Sequence, residues 1–388
     1  MHIFLTGATG FVGKHLLYYI LKDTDFTVTI PVRQKKLTSA ERFQKEFVEA
    51  PLFHNLDLSR VTCIDRDISN ILAEDVSGAC FIHCAAVVKF NQPLEDLIKH
   101  NYKSVEGLYE LTKQPTEEPI EQPTKQPTKQ SKPMKFIYIS TCYTHPKGST
   151  GESVKIPADL PRESFICDYA YTKYLAEQWL YKQSSEIDIV RLSCVGAPLD
   201  DLPPMRGPAH LGILEVGYRK TMADVWFPDN FQFSVVPVDV VCKNLIDVIK
   251  SSHEGIQIKQ FSAPADSNTY NISALELAKP VLKENNITYW NNMEFKTFTM
   301  IMTALYFWIP ETLQKIIDVN YIISTVSSNI TFQSSIQIPH VSKEDYLNRT
   351  REYVRQLVEL RPDPPSWQHF LYQLFLMLKK WVVKMIYG

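Results

Sequence analysis

A tyrosine and a lysine four positions apart, Tyr169 and Lys173, are the residues of this sequence best suited to acid–base chemistry. On a helix this spacing places both side chains on one face, one turn apart. A free phenol has a pKa of about 10, and an adjacent ammonium group favours the phenolate. Thr141, upstream at the end of a predicted strand, would donate a hydrogen bond to a carbonyl oxygen as charge builds on it. The three residues predict proton exchange at a carbonyl. An incidental surface pair is the alternative, and the competing Tyr171 faces another side of the helix.

A glycine-rich turn follows the first predicted strand. Its first glycine permits a tight turn, the second lets a pyrophosphate approach the backbone, and the third lets helix and strand pack closely. Free N–H groups at the start of the helix would receive the phosphate charge. Because the turn joins a strand to a helix, we interpret it as a dinucleotide-binding loop rather than a plain turn. Lys173 would hold the nicotinamide ribose of the same cofactor. The predicted contacts in the loop are Thr6, Gly7, Thr9, Gly10, Phe11, Val12 and Gly13.

The end of the second predicted strand carries basic rather than acidic residues. A carboxylate there would accept a hydrogen bond from the adenosine ribose and favour NAD. Arg33, Lys36 and Arg42 suit a 2′-phosphate instead, so the sequence predicts NADPH as cofactor, with a solvated basic loop as the alternative. Asp67, next to Ile68 after the third strand, is placed to bind the adenine amine, although a helix N-cap would use the same carboxylate.

Short β-rich segments alternate with helical ones, which predicts an α/β fold with a Rossmann-type doubly wound parallel sheet. Strands are predicted at 2–5, 27–33, 61–65, 78–84, 135–140 and 188–193, and helices at 12–22, 38–47 and about 171–183. We assign 1–255 to an NADP-binding domain, 199–235 and 256–297 to a substrate lobe, and 298–388 to a helical, aromatic-rich C-terminal region. Residues 114–133 repeat Gln-Pro-Thr and lack an apolar face, so we predict a disordered insertion, with a polyproline partner site as the alternative.

The composition argues against several classes of protein. The 388 residues are 45% hydrophobic and carry a formal net charge of −2, which provides no field to attract nucleic acid. Seven irregularly spaced cysteines indicate neither a disulfide framework nor a zinc site, so we expect no metal. No secretory leader precedes the first strand, and the longest apolar runs are too short to cross a bilayer. These features predict a cytoplasmic protein and leave its oligomeric state open.

Further motifs connect this sequence to a known family. His83-Cys84-Ala85-Ala86 is similar to the motif after the fourth strand of the extended short-chain dehydrogenase/reductases, and Asn101 is similar to the asparagine that steadies their central helices. Both alanines and Asn101 are therefore expected beside the cofactor. Four longer segments resemble the fatty acyl-CoA reductases and related thioester reductases, over roughly residues 1–320. They are 32–42, 85–94, 189–197 and 236–241. The sequence departs from the family pattern at Pro31, Ser104 and Leu192. These departures leave the substrate range open, but they do not change the expected type of reaction.

The resemblance implies NADPH-dependent reduction of a long-chain acyl thioester, on coenzyme A or a carrier protein, to fatty aldehyde, fatty alcohol or both. Thr141 and Tyr169 would stabilise the oxyanion, and Tyr169 would deliver the proton. A dehydrogenase acting on a sterol, a flavonoid or a nucleotide sugar is the alternative, and a non-catalytic dinucleotide-binding regulator is a second one. Residues 367–387 interleave aromatic residues with lysines, which fits peripheral membrane contact, a cap over an acyl tunnel or plain core.

Overall fold

A computed structural model of the chain describes residues 1–88, 92–113, 135–149, 151–207, 211–219, 224–226, 232–290 and 332–360. The chain divides into two compact units. Unit 1 is built from Met1–Ser193, Val238–Ser262 and Phe332–Gln337. Unit 2 is built from the described residues within Cys194–Pro237, Ala263–Thr331 and Ile338–Gly388. The domain boundaries given above remain predictions. The predicted insertion 114–133 and the aromatic segments 298–319 and 367–387 lie outside the described residues.

The strands of the described chain are β1 (His2–Thr6), β2 (Thr27–Pro31), β3 (Val61–Ile64), β4 (Cys80–His83), β5 (Phe136–Thr141), β6 (Ile187–Leu192), β7 (Cys194–Gly196), β8 (Asp224–Trp226), β9 (Gln232–Pro237), β10 (Ile256–Phe261), β11 (Asn271–Ser273) and β12 (Thr288–Trp290). The helices are α1 (Phe11–Asp23), α2 (Ser39–Phe43), α3 (Ala73–Val76), α4 (Leu94–Leu97), α5 (Ser104–Thr112), α6 (Asp168–Leu180), α7 (Gly212–Arg219), α8 (Val238–Lys250), α9 (Ala274–Glu284) and α10 (Lys343–Glu359). None of these helices is both long and apolar enough to cross a membrane.

Unit 1 contains a seven-stranded sheet in the order β3–β2–β1–β4–β5–β6–β10. Every neighbouring pair in it is parallel. The four central strands β1, β4, β5 and β6 are almost continuously buried because helices cover both faces of a parallel sheet. Strand order reverses between β1 and β4, and in such sheets ligands bind in the crevice at the carboxyl ends of the strands on either side of the reversal. The predicted α/β fold of the Rossmann type is confirmed.

An aromatic stack joins the central strands of this sheet. The rings of Phe4 and Phe81 lie 5.1 Å apart, and those of Phe81 and Phe136 lie 5.2 Å apart, on β1, β4 and β5 respectively. Tyr109 from α5 meets Phe136 edge to face at 5.4 Å. All four side chains are fully buried, and such pairs stabilise a core beyond the area that they bury. The packing holds three adjacent strands of the sheet in register.

Two helices of unit 1 differ from the sequence prediction in their bounds. The helix predicted to begin near residue 171 begins at Asp168, which lies in the first turn of α6, where a negative charge is favoured. Arg162 fixes this carboxylate with hydrogen bonds of 2.6 and 2.7 Å. The earlier start brings Tyr169 into the helix. The helix predicted at 38–47 is α2 followed by a π-helical turn, Gln44–Val48.

The described residues of unit 2 form two small sheets and three helices. β9 pairs with β7 in parallel and with β11 in antiparallel orientation, and β8 pairs with β12 in parallel. Arg351 on α10 donates hydrogen bonds to the carbonyls of Glu276 and Leu277 on α9. Lys343 forms an ion pair of 2.8 Å with Glu276. These contacts attach α10 to α9 within the unit.

Candidate active site

The glycine turn between β1 and α1 has the geometry that its spacing predicts. Gly7 has a φ of +75°, in the left-handed region that favours glycine. A Cβ atom at Gly7 would lie 2.6 Å from the amide nitrogen of Ala85, and one at Gly13 would collide with the carbonyl oxygen of Gly7. The amide of Gly10 donates to the carbonyl of Gly7 at 2.9 Å. The first and third glycines therefore let β1, α1 and the segment after β4 approach closely.

The amino-terminal end of α1 is accessible. Gly10 is exposed, the neighbouring Thr9, Phe11 and Val12 are only partly buried, and no side chain among the described residues caps the helix. An uncapped helix start presents backbone N–H groups and the positive end of the helix dipole to an anion. These residues therefore fit a pyrophosphate.

The hydroxyl of Thr6 forms hydrogen bonds within the fold. It lies 2.8 Å from Nδ1 of His83 and accepts a hydrogen bond of 3.3 Å from the amide of Ala85. The side chain of Thr6 is fully buried, whereas Ala85 and the following Ala86 are half-buried. Thr6 thus joins the ends of β1 and β4, and Ala85 lies beside the glycine turn. Contact of Ala85 and Ala86 with a cofactor remains a prediction.

Basic side chains gather after β2. Arg42 is buried and donates to the carbonyl of Arg33 at 2.7 Å, and it pairs with Glu46 at 3.7 Å. Burial, followed by the charges of Arg42 and Arg33, lowers the pKa of Lys35 below its ordinary value. Lys36 is exposed. Cations that repel one another in this way form a favourable site for an anion.

Asp67 is engaged as a cap and as an ion-pair partner. Its carboxylate accepts from the amide of Ser69 at 3.2 Å, which caps the short turn beginning at Ile68, and it lies 3.3 Å from Nη1 of Arg33. Burial acts against the charged form, but the hydrogen bonds from Ser69 and Arg33 hold the pKa of Asp67 below its ordinary value. The N-cap role left open by the sequence is present. Contact of Asp67 and Ile68 with an adenine remains a prediction.

Lys173 is buried within unit 1, only 2% exposed. Its ammonium donates to the carbonyl of Ile139 at 2.7 Å and lies 4.5 Å from the centre of the Tyr138 ring. Burial lowers the pKa of Lys173 to about 8. Tyr169, one turn earlier on α6, is half-buried, and burial raises the pKa of its phenol well above the ordinary value. Burial therefore acts against the phenolate that the lysine was expected to favour, and the phenol of Tyr169 is neutral.

Thr141 is the last residue of β5 and is buried. Its hydroxyl donates to the carbonyl of Leu192 at 3.2 Å and accepts from the amide of Tyr143 at 3.3 Å. A substrate oxygen would have to replace the Leu192 carbonyl as the acceptor of this hydroxyl. The predicted catalytic role of Thr141 therefore depends on an exchange of hydrogen-bond partners.

Asn101 connects two parts of the site. Its side-chain amide forms hydrogen bonds with the amide and carbonyl of Val87, at 2.8 and 3.1 Å, and donates to the hydroxyl of Thr172 at 3.4 Å. Thr172 in turn donates to the carbonyl of Tyr169 at 2.9 Å. Asn101 lies in a π-helical turn, Ile98–Lys103, and such turns are frequent at functional sites. The segment after β4 is thereby fastened to α6.

A buried ion pair was not predicted from the sequence. Glu177 on α6 and Arg191 on β6 both have 0% exposed side chains, and Oε2 and Nη2 lie 2.7 Å apart. The carboxylate also accepts from Ser140 at 2.6 Å and from Tyr181 at 2.7 Å. The available signals were an arginine within an apolar strand and a carboxylate one turn after Lys173. This network ties α6 to the strand that ends at Thr141.

Comparison with known proteins agrees with this geometry. Residues 5–245 match the model of an NAD-binding family described as male sterility protein. Fatty acyl-CoA reductase 1 of Gallus gallus is 28% identical over 288 residues, covering 62% of this chain and 52% of that protein. The chain thus spans about half the length of the curated relatives that it matches.

Solved structures share the fold at low sequence identity. The terminal R domain from the myxalamid PKS-NRPS biosynthetic pathway has a TM-score of 0.65 and 18% identity, covering 94% of this chain and 92% of that one. UDP-glucuronic acid 4-epimerase from Bacillus cereus, in complex with NAD, has a TM-score of 0.59 and 17% identity, covering 93% and 99%. Because the family model matches more than half of the chain, the chain belongs to the male sterility protein family of NAD(P)-binding proteins.

Proposed function

We propose that the protein reduces fatty acyl thioesters with NADPH, giving fatty aldehyde, fatty alcohol or both. The observation that carries the proposal is the buried ammonium of Lys173, which lies one helical turn from the neutral phenol of Tyr169 in the unit that contains the glycine turn. A substrate carbonyl in this crevice would meet a proton donor and a cation together. The relatives named fatty acyl-CoA reductase support an acyl thioester as the substrate.

NADPH fits the residues of the site better than NADH. No carboxylate follows β2 directly; Val32, Arg33 and Gln34 stand there instead. The charges of Arg33 and Arg42 already act on Lys35, so a 2′-phosphate would relieve repulsion among three cations. This supports the choice of NADPH.

The chemistry assigns separate tasks to the side chains. When bound, the nicotinamide supplies hydride to the thioester carbonyl carbon. Tyr169 and Thr141 would donate hydrogen bonds to the carbonyl oxygen as it gains negative charge, which lowers the barrier most in a water-excluded site. The carbon–sulfur bond then breaks, and the thiolate departs to give an aldehyde. In a second reduction Tyr169 would transfer its proton to the alkoxide, and its raised pKa keeps that proton available at neutral pH.

The test is NADPH oxidation with palmitoyl-CoA, with products identified by gas chromatography. Tyr169→Phe removes the proton donor, and Tyr171→Phe is the matched control because that ring packs 5.5 Å from Phe165. We expect Tyr169→Phe to lower the rate by about a hundredfold or more, as for loss of a general acid, and Tyr171→Phe to change it little. NADPH binding without reduction of an acyl thioester of any chain length would overturn the proposal. Equal rates in the two variants would remove Tyr169 from the mechanism.

A further inference from the structure

The ammonium of Lys173 is held from two sides. One side is the carbonyl of Ile139, 2.7 Å away, which is its only hydrogen-bond acceptor within the described residues. The other side is the face of the Tyr138 ring, whose centre lies 4.5 Å from Nζ. An ammonium group has three donors, so this arrangement leaves at least one of them for a ligand.

Tyr138 contributes its ring rather than its hydroxyl to this contact. The side chain is fully buried on β5, and its hydroxyl has no hydrogen-bond partner among the described residues. Its ring is stacked against His83, with centres 6.1 Å apart and an angle of 11° between the planes. Burial, followed by the charge of Lys173, lowers the pKa of His83 to about 3. The imidazole is therefore neutral and adds no competing charge.

We propose that Tyr138 is a positioning residue, whose aromatic face and the neighbouring Ile139 carbonyl together hold the Lys173 ammonium in place for the nicotinamide ribose. The attraction between a cation and an aromatic ring is strongest when water is excluded, and Lys173 is 2% exposed. This inference rests on the proposed function through the task given to Lys173, because a misplaced ammonium would weaken cofactor binding.

The pH dependence of cofactor affinity reports the charge of Lys173, and it would not change if Tyr138 acted through packing alone. Several titratable groups act on Lys173 or on the Tyr138 ring. They lie at the end of β4, on β5 and on α6, and they are His83, Cys84, Tyr138, Tyr169 and Glu177. Burial lowers the pKa of Lys173 to about 8, against opposing contributions from Cys84 and Glu177. The ammonium is present below this pH and lost above it. Cofactor affinity should therefore fall as the pH rises through 8, and loss of the aromatic face should move this fall to lower pH.

The experiment measures the dissociation constant of NADPH by its fluorescence between pH 7 and 10, with NADH in parallel, on the full chain. Tyr138→Phe keeps the ring and Tyr138→Leu removes it. We expect Tyr138→Phe to match the wild type, and Tyr138→Leu to bind at least tenfold more weakly. The energy of a desolvated cation–π contact, equal to about a thirtyfold factor, sets the upper limit of this loss. The alkaline fall should also begin at lower pH in Tyr138→Leu, and Lys173→Met should abolish it.

A second series of variants tests the same contact without requiring that Tyr138→Leu folds. Phenylalanines with one, two and three ring fluorines at position 138 keep the ring shape and progressively weaken its negative face. A stepwise loss of NADPH affinity along the series supports the proposal, and constant affinity overturns it. An alkaline fall that survives in Lys173→Met also overturns it. If these binding results hold while no acyl thioester is reduced, the role of Tyr138 is supported and the proposed substrate is not.

Discussion

Replacing Glu177 by Gln should destabilise unit 1 strongly. The substitution keeps the shape of the side chain but leaves the guanidinium of Arg191 buried without a carboxylate. Both side chains are 0% exposed, and the pair is 2.7 Å apart. Removing one partner of a buried pair costs about 3–5 kcal/mol, because the remaining charge stays desolvated. With a urea dependence of about 3 kcal/mol per molar, the unfolding midpoint should fall by about 1 to 1.7 M.

The assay is urea unfolding followed by circular dichroism at pH 7. Glu106→Gln is the matched control, because it makes the same chemical change in an ion pair with Lys103 that is more exposed. The side chain of Glu106 is 21% exposed and that of Lys103 is 58% exposed. Surface pairs contribute about 0–1 kcal/mol, so its midpoint should hardly move. The double variant Glu177→Gln with Arg191→Met should recover much of the loss, since it no longer buries an unpaired charge.

The same carboxylate predicts a pH dependence. Burial acts against its charge, but Arg191 and the hydrogen bonds from Ser140 and Tyr181 hold the pKa of Glu177 below the ordinary 4.5. Its contribution to stability is therefore complete above pH 4.5 and is lost as the pH falls through the lower folded value. Equal midpoints for Glu177→Gln and Glu106→Gln, or a double variant less stable than Glu177→Gln, would refute this reasoning.

Two further predictions concern the basic residues after β2 and the glycine turn. Arg33→Ala should weaken NADPH binding by about tenfold or more, since a hydrogen bond to a charged group contributes about 1.5–3 kcal/mol, and should leave NADH binding nearly unchanged. Dissociation constants for both nucleotides test this, with the exposed Lys45→Ala as control, and an equal loss for both would exclude contact with a 2′-phosphate. Gly13→Ala should lower stability by about 1–3 kcal/mol, because its Cβ would collide with the Gly7 carbonyl. Gly107→Ala, where a Cβ meets nothing within 4 Å, should be neutral or stabilising, and similar unfolding midpoints for the two glycine variants would contradict the close packing.

Local spacing explains what the sequence predicted well. The apolar strands, the glycines at 7, 10 and 13, and the pairing of Tyr169 with Lys173 depend on contacts within a few residues, where periodicity and backbone sterics decide the structure. The sequence by itself therefore determined the parallel sheet, the glycine turn after β1 and the one-turn spacing of Tyr169 and Lys173, although the helix that carries them begins three residues earlier than predicted.

Only the tertiary structure decided the electrostatic state of these residues. The contacts of Arg191 with Glu177 and of Lys173 with Tyr138 join elements that are distant in sequence, and their strength depends on how completely packing excludes water. Burial also reversed the expected direction for the pKa of Tyr169. Desolvation is a property of the packed core and has no local sequence pattern, so spacing identifies the groups that can react while packing sets their charge.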